Sequence, residues 1–203
     1  MMCRLLLDCN NMKIFKKTKI GQIYSKDGDK FFIFAGLDKK LVAELKALSL
    51  NKKDKELQKN TGDLKRFGLG SYSEWYKKNR TPFALVHEKT GALAGLVWFG
   101  PKALGEKSIK YGIEGKKVKK ESKKNTWHTI AYRAYPPFRG KGITKKFTAF
   151  ATDVYMKNFP NIKVWAGIDD RNKASQKLSE GLGFKTLEKL SDKKAHWLVM
   201  VKY

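Results

Sequence analysis

The residues best placed to do chemistry lie at positions 132–147, which read YRAYPPFRGKGITKKF. An apolar-aromatic run ends at two prolines. Arg139, Gly140, Lys141 and Gly142 follow, and a segment with helical spacing begins. A strand feeding a glycine-bearing loop and a helix N-terminus points several backbone N–H groups the same way, an arrangement that binds phosphate through main chain. Three familiar loops of this kind do not fit. The dinucleotide fingerprint fails because its third glycine falls at Lys145, and no acidic residue closes a later strand at the right distance. No G-x-x-x-x-G-K-[ST] run occurs. An RNA-recognition signature would match at Arg139, Gly140 and Gly142, but its stacking aromatics would fall on Lys141 and Ile143, which cannot stack a base.

Other reactive residues are few. His128 lies just ahead of the loop, and an unperturbed histidine titrates in the range a general base needs. Glu88, Tyr132 and Asp169 are lesser candidates, and His87 and His196 read as strand residues outside any constellation. No histidine or carboxylate cluster has metal-ligand spacing, so no metal is expected. The two cysteines, Cys3 and Cys9, support neither a disulfide framework nor a metal site. They fall in an N-terminal extension expected over residues 1–29, in which Met12 is an alternative start. No apolar run approaches the ~20 residues that span a bilayer, and the block Leu5–Leu7 is too short for a secretory leader. A cytoplasmic protein without a membrane partner is the expectation.

The formal net charge is +25, but only six of the 44 cationic side chains are arginine: Arg4, Arg66, Arg80, Arg133, Arg139 and Arg171. Proteins that grip nucleic acid use arginine freely for its planar fork. A lysine excess spread along the whole chain therefore reads as background bias more than as a nucleic-acid site, which stays possible without being favoured. The surface should attract anions and repel polycations.

The elements that must position the loop follow from periodicity. Residues 30–36 (KFFIFAG) read as a buried strand, and Asp38 caps a helix carrying Leu41, Val42, Leu45 and Leu48. A polar lysine-rich stretch follows. Ser71 and Glu74 form a capping box that opens a short helix with Trp75. Residues 83–88 and 92–99 flank a Lys-Thr-Gly turn as a hairpin. A lysine-rich insertion spans about 101–125. Residues 127–135 form a strand, a helix runs from about 144 to 158, and residues 162–168 form another strand. A helix with Ala174, Leu178 and Leu182 follows, and residues 186–190 and 197–203 close as a hairpin. This order gives one α+β domain over residues 30–203.

The run Phe138-Arg139-Gly140-Lys141-Gly142-Ile143-Thr144 resembles the pyrophosphate loop of the GNAT (GCN5-related) N-acetyltransferases, Q/R-x-x-G-x-G/A. Arg139 and Gly142 match, and Thr144 replaces the usual Gly or Ala. Downstream, the segment from Asn172 to Phe184 resembles the family's second signature, N-x-x-[AS]-x-x-L-Y-x-x-x-GF, at the usual separation. The resemblance implies a GNAT fold: a mixed, mostly antiparallel central sheet with a splayed strand pair, flanked by helices.

It also implies acetyl-CoA as co-substrate, its pantetheine arm along Tyr132 and Ala134 with Tyr135 at the corner. The pyrophosphate would sit over the amides of Gly140, Lys141, Gly142, Ile143, Thr144 and Lys145 beside Arg139, and Asn172 would reach the arm. Capping the next helix is an equal role for Asn172. The family's acid tyrosine falls at Ser179, and the glutamate base of some members aligns with His128. The implied activity is direct acetyl transfer to a primary amine, on a small molecule, a protein N-terminus or a lysine. The alternative is a catalytically weak module that binds nucleic acid or another polyanion. Residues 67–80 and the insertion are expected to wall the acceptor pocket.

Overall fold

In the computed structural model the described residues are 14–107 and 126–203. Cys3, Cys9, Met12 and most of the insertion lie outside them.

The described chain forms one eight-stranded sheet in the order β1-β2-β3-β4-β5-β6-β8-β7. Its strands are β1 (Thr18–Tyr24), β2 (Lys30–Ala35), β3 (Thr81–His87), β4 (Leu93–Pro101), β5 (Trp127–Ala134), β6 (Lys163–Asp169), β7 (Lys185–Thr186) and β8 (Trp197–Lys202). Every neighbouring pair is antiparallel except β5 with β6. The mixed, mostly antiparallel sheet of the expectation is therefore present, with helices on both faces.

Capping residues set where the helices begin. Asp38 accepts from the Leu41 amide at 2.9 Å and starts α1 (Lys39–Leu50). Asp54 does the same for Leu57 at 3.0 Å and starts α2 (Lys55–Asn60). Ser71 accepts from Glu74 and starts α3 (Tyr72–Tyr76). With the wide π-type turn at Leu64–Gly68, these three cover one face of the sheet, burying Leu41, Leu45, Phe67 and Trp75 against Ala84, Leu96 and Trp98. On the other face lies α4 (Ile143–Asn158), whose Phe147, Ala151 and Tyr155 pack on Val97, Phe99 and Ile130. Tyr155 stacks on Phe99 at 4.2 Å between ring centroids. The last helix, α5 (Lys173–Glu180), begins at Asn172, whose side chain accepts from the Ser175 amide at 3.1 Å.

Three expectations change. The sheet begins inside the segment assigned to an N-terminal extension: β1 pairs with β2 along its length, interrupted by an irregularity between Lys19 and Gly21. Its alternation is weak because an edge strand has little to bury. The polar stretch after α1 contains α2, which is held by its Asp54 cap and one buried leucine rather than by an apolar face. The closing hairpin is lopsided. β7 has two residues, and residues 188–190 turn away as a 3-10 segment with Leu190 left 43% exposed.

Asp63 joins the helical layer to the sheet. Its carboxylate is fully buried and accepts from Arg133 of β5 at 2.6 and 3.0 Å, and from Arg66. Both guanidiniums also lie over the Trp98 ring, at 4.8 Å for Arg133 and 5.3 Å for Arg66. Burial alone would raise the Asp63 pKa, but the two arginines reverse this and hold it below the usual carboxylate value. Because the folded pKa is depressed, this contribution to stability is present above the unfolded carboxylate pKa and fades as pH falls through the folded one. Asp63→Asn leaves two arginines in the interior without a counter-charge, and should cost about 3–5 kcal/mol in urea unfolding at neutral pH. A loss under ~1 kcal/mol, the range of an exposed pair, would show that Asp63 is no brace.

Candidate active site

The parallel pair β5 and β6 is hydrogen-bonded only from Trp127 to Thr129 against Lys163 to Trp165. Above that point the strands part. β5 stays on β4 as far as Ala134 opposite Gly95, while β6 stays on β8 as far as Asp169 opposite Trp197. Each strand keeps its outer partner, so the inner edges open as a V. This is the splayed pair the sequence implied. The cleft between them has a volume of about 950 Å³ and is lined by residues 129–134 of β5 and 165–169 of β6.

At the wide end of the V stands the glycine loop. Gly140 and Gly142 have φ of +78° and +72°, the left-handed region that glycine tolerates and other residues rarely adopt. Gly142 occupies the N-cap position of α4. The first-turn amides of a helix lack intrahelical acceptors, and the 16-residue helix adds a positive end at the same place. Arg139, Gly140, Gly142, Thr144, Lys145 and Asn172 all border the cleft here. This end is built to receive an oxyanion from the main chain.

Several residues singled out in the sequence have other work. Arg139 borders the cleft, but its fork is bonded to Asp54 at 2.8 and 2.7 Å and its Nε donates to the Ala134 carbonyl at 2.8 Å. It clamps α2 to the loop. Lys141 turns away to Asp29 at 2.7 Å, and Ile143 is buried in the core, so these two can offer a ligand only their backbone. Tyr135 is not a cleft residue. It is fully buried in the cluster beneath α1, α2 and α3, and its amide donates to the Ala94 carbonyl at 3.0 Å, because the chain turns there into the Pro136–Pro137 corner.

Tyr132 and Ala134 border the cleft as expected. The Tyr132 hydroxyl donates to the Ser175 carbonyl at 2.9 Å and lies 3.0 Å from the Ser179 hydroxyl. Burial pushes the Tyr132 pKa up, so the phenol stays protonated and cannot serve as a base near neutrality.

His128 does not line the cleft. It sits opposite Val164, below the point where the strands part, and its Nδ1 is 2.6 Å from the Tyr155 hydroxyl on α4. Burial and then the nearby Arg80 lower its pKa. Glu88 pairs with Lys30 near the far hairpin, whereas Asp169 borders the cleft with the Arg171 fork on it. Among the described residues no group of three or more His, Cys, Asp or Glu could hold a metal ion.

At the narrow end of the cleft Arg66, Arg80, Trp98, Lys102 and Glu106 converge, brought from the helical layer, the start of β3 and the end of β4. Arg80, Lys102 and Glu106 belong to the two segments expected to form pocket walls, residues 67–80 and the insertion, whereas Arg66 and Trp98 lie outside them. Lys102 is half-buried, and burial brings its pKa down to about 8, with Glu106 opposing the shift and Arg80 and Arg66 adding to it.

Residues 40–185 match the model of the acetyltransferase (GNAT) domain family. No curated protein sequence matches the chain. Among solved structures, the GNAT domain of S. lividans PAT is similar at 10% identity, with a TM-score of 0.63 over 90% of this chain and 95% of that one. The ribosomal-protein-S5-alanine acetyltransferase of Vibrio fischeri is similar at 14% identity, with a TM-score of 0.58 over 92% and 96%. Mycobacterium smegmatis RimJ, solved in complex with CoA-disulfide, is similar at 13% identity, with a TM-score of 0.57 over 91% and 87%. These likenesses are to the fold, and the family match rests on the sequence: the chain belongs to the GNAT acetyltransferase family.

Proposed function

We propose that the protein is an N-acetyltransferase that moves the acetyl group of acetyl-CoA to a primary amine by direct attack in a ternary complex. The observation that carries this reading is the V between β5 and β6 opening toward the glycine loop at the start of α4. A pyrophosphate over the amides of residues 140–145 would leave its pantetheine arm lying in the V, beside strand edges whose N–H and C=O groups lack strand partners above Thr129. Asn172, Tyr132 and Ala134 border that path.

The thioester would then lie toward the narrow end. The neutral amine attacks the thioester carbonyl carbon, the oxygen takes up negative charge, and the C–S bond breaks to release the CoA thiolate. A main-chain N–H on the freed edge of β5 is the natural donor to the oxyanion. The proton lost by the amine passes to water or to Glu74 or Glu106, the carboxylates toward this end of the cleft. The CoA thiol is a fair leaving group, so Ser179 in place of an acidic tyrosine does not stop the reaction.

Calorimetric titration with acetyl-CoA should give one saturable site at micromolar concentration, and absence of heat up to high micromolar would overturn the reading. Gly142→Val tests the loop. A branched side chain at φ +72° is strained, and its Cβ would crowd Lys26 at 3.1 Å. Left-handed backbone costs ~1–2 kcal/mol, so acetyl-CoA affinity should fall about tenfold or more while far-ultraviolet circular dichroism stays native. Unchanged affinity in a folded variant would place the pyrophosphate elsewhere.

A further inference from the structure

We infer that the acceptor amine belongs to a molecule that also carries an oxyanion, a carboxylate or a phosphate monoester, bound by Arg80 and Lys102 at the narrow end of the cleft. The inference rests on the acetyltransferase reading and adds the substrate class.

The parting point at Thr129 is five residues along β5 from Ala134, roughly 16 Å at strand rise. The glycine loop lies beyond Ala134, so cations beside Thr129 are too far away to serve a pyrophosphate held there. They face whatever meets the thioester from the other side.

Arg80 crosses over Gly100, the residue opposite Thr129, and a Cβ at Gly100 would come within 2.6 Å of the Arg80 Nη1. Glycine therefore makes the room that brings this guanidinium onto the sheet. Arg80 donates to the Pro101 carbonyl at 3.2 Å, and no carboxylate among the described residues pairs with it. Lys102 donates to the Lys107 carbonyl at 3.1 Å and lies 5.6 Å from the centre of the Trp165 ring, again without a carboxylate partner among the described residues. Behind them, Asp63 answers Arg66 and Arg133 together, one negative charge to two positive. Glu106 is the carboxylate whose charge favours the protonated form of both, and it is exposed.

Half-buried cations lacking counter-ions are costly to hold, and burial lowers the pKa of both Arg80 and Lys102. An incoming oxyanion relieves that cost, and the guanidinium presents it with a planar fork of donors. The lysine excess of the chain does not account for the cluster, because four of its six arginines (Arg66, Arg80, Arg133 and Arg139) border this cleft. A polyamine would meet the same cations as repulsion.

The experiment compares matched amines under acetyl-CoA saturation: β-alanine against β-alaninamide, and O-phosphoethanolamine against ethanolamine, with spermidine as the opposite extreme. The oxyanion-bearing member of at least one pair should show kcat/KM at least tenfold above its neutral counterpart, mostly through KM. The pair with the larger ratio identifies the oxyanion. Arg80→Gln and Lys102→Gln should each bring that ratio toward one without changing acetyl-CoA affinity. The ratio should also shrink as pH rises through about 8, where Lys102 loses its proton in the field of Glu106, Arg80 and Arg66.

Equal kcat/KM within both pairs, or a preference for spermidine, overturns the inference. If none of these amines is turned over, calorimetric titration of the same pairs into the CoA-saturated protein decides: tighter binding of an oxyanion-bearing member supports it, and equal or absent binding overturns it. Acetyl-CoA titration is read separately. Loss of cofactor binding removes the acetyltransferase reading, whereas cofactor binding without acceptor preference removes only this inference.

Discussion

The constraint on which the structure turns is that β5 and β6 stop pairing after three residues while each remains bonded to its outer neighbour. A parallel strand edge left open inside a protein presents N–H and C=O groups that need partners outside the sheet, and on β5 the Tyr132 and Ala134 carbonyls take the Arg133 and Arg139 side chains. The sheet cannot close the gap. β5 is held by β4 along its whole length, and β6 by β8 from Val164 to Asp169. The fold thus creates a slot edged with peptide groups, complementary to a ligand that carries amides of its own. The pantetheine arm proposed for this slot would be such a ligand.

Two ion pairs keep that slot in shape. Asp63 ties β5 to the helical layer through Arg133, and Asp54 ties the glycine loop to α2 through Arg139. Asp54 also caps α2, so one carboxylate starts a helix and anchors the glycine loop. Both braces run from the α1–α3 side, which also supplies Arg66 and, through the chain leading into β3, Arg80 to the narrow end. The two ends of the cleft are therefore built on shared supports. An arginine that looks like a phosphate ligand in sequence is more useful here as a strut.

The loop, α4, the β3–β4 hairpin and the capped helices were legible because each rests on local rules: glycine at left-handed positions, Asp or Ser at N-caps, apolar spacing. What stayed hidden depends on distant partners. β1 is recognisable only once β2 offers it an edge, and α2 only through its Asp54 cap. His128 looked reactive by alignment with a strand position, yet pairing with Val164 puts it below the opening, where Tyr155 meets it. Arg80 and Lys102 lie on either side of β3 and β4 in sequence and border one cleft, where Gly100 leaves the room that Arg80 occupies. No window of neighbouring residues contains that information.

The turn joining β1 to β2 has a role that its position at the sheet edge conceals. The Lys26 amide donates to the Lys141 carbonyl at 3.2 Å, Lys141 reaches Asp29 at 2.7 Å, and Lys146 reaches the Tyr24 carbonyl at 2.9 Å. Gly21 lets Phe150 of α4 press directly onto β1, since a Cβ there would come within 2.6 Å of the ring. Edge hairpins are among the first parts of a native protein to open in spontaneous fluctuations. The glycine loop is fastened to such a hairpin, so the free energy of that local opening sets the fraction of time its amides are correctly aimed. Part of the entropic cost of ordering the glycine loop is thus met in advance by a surface element at the sheet edge.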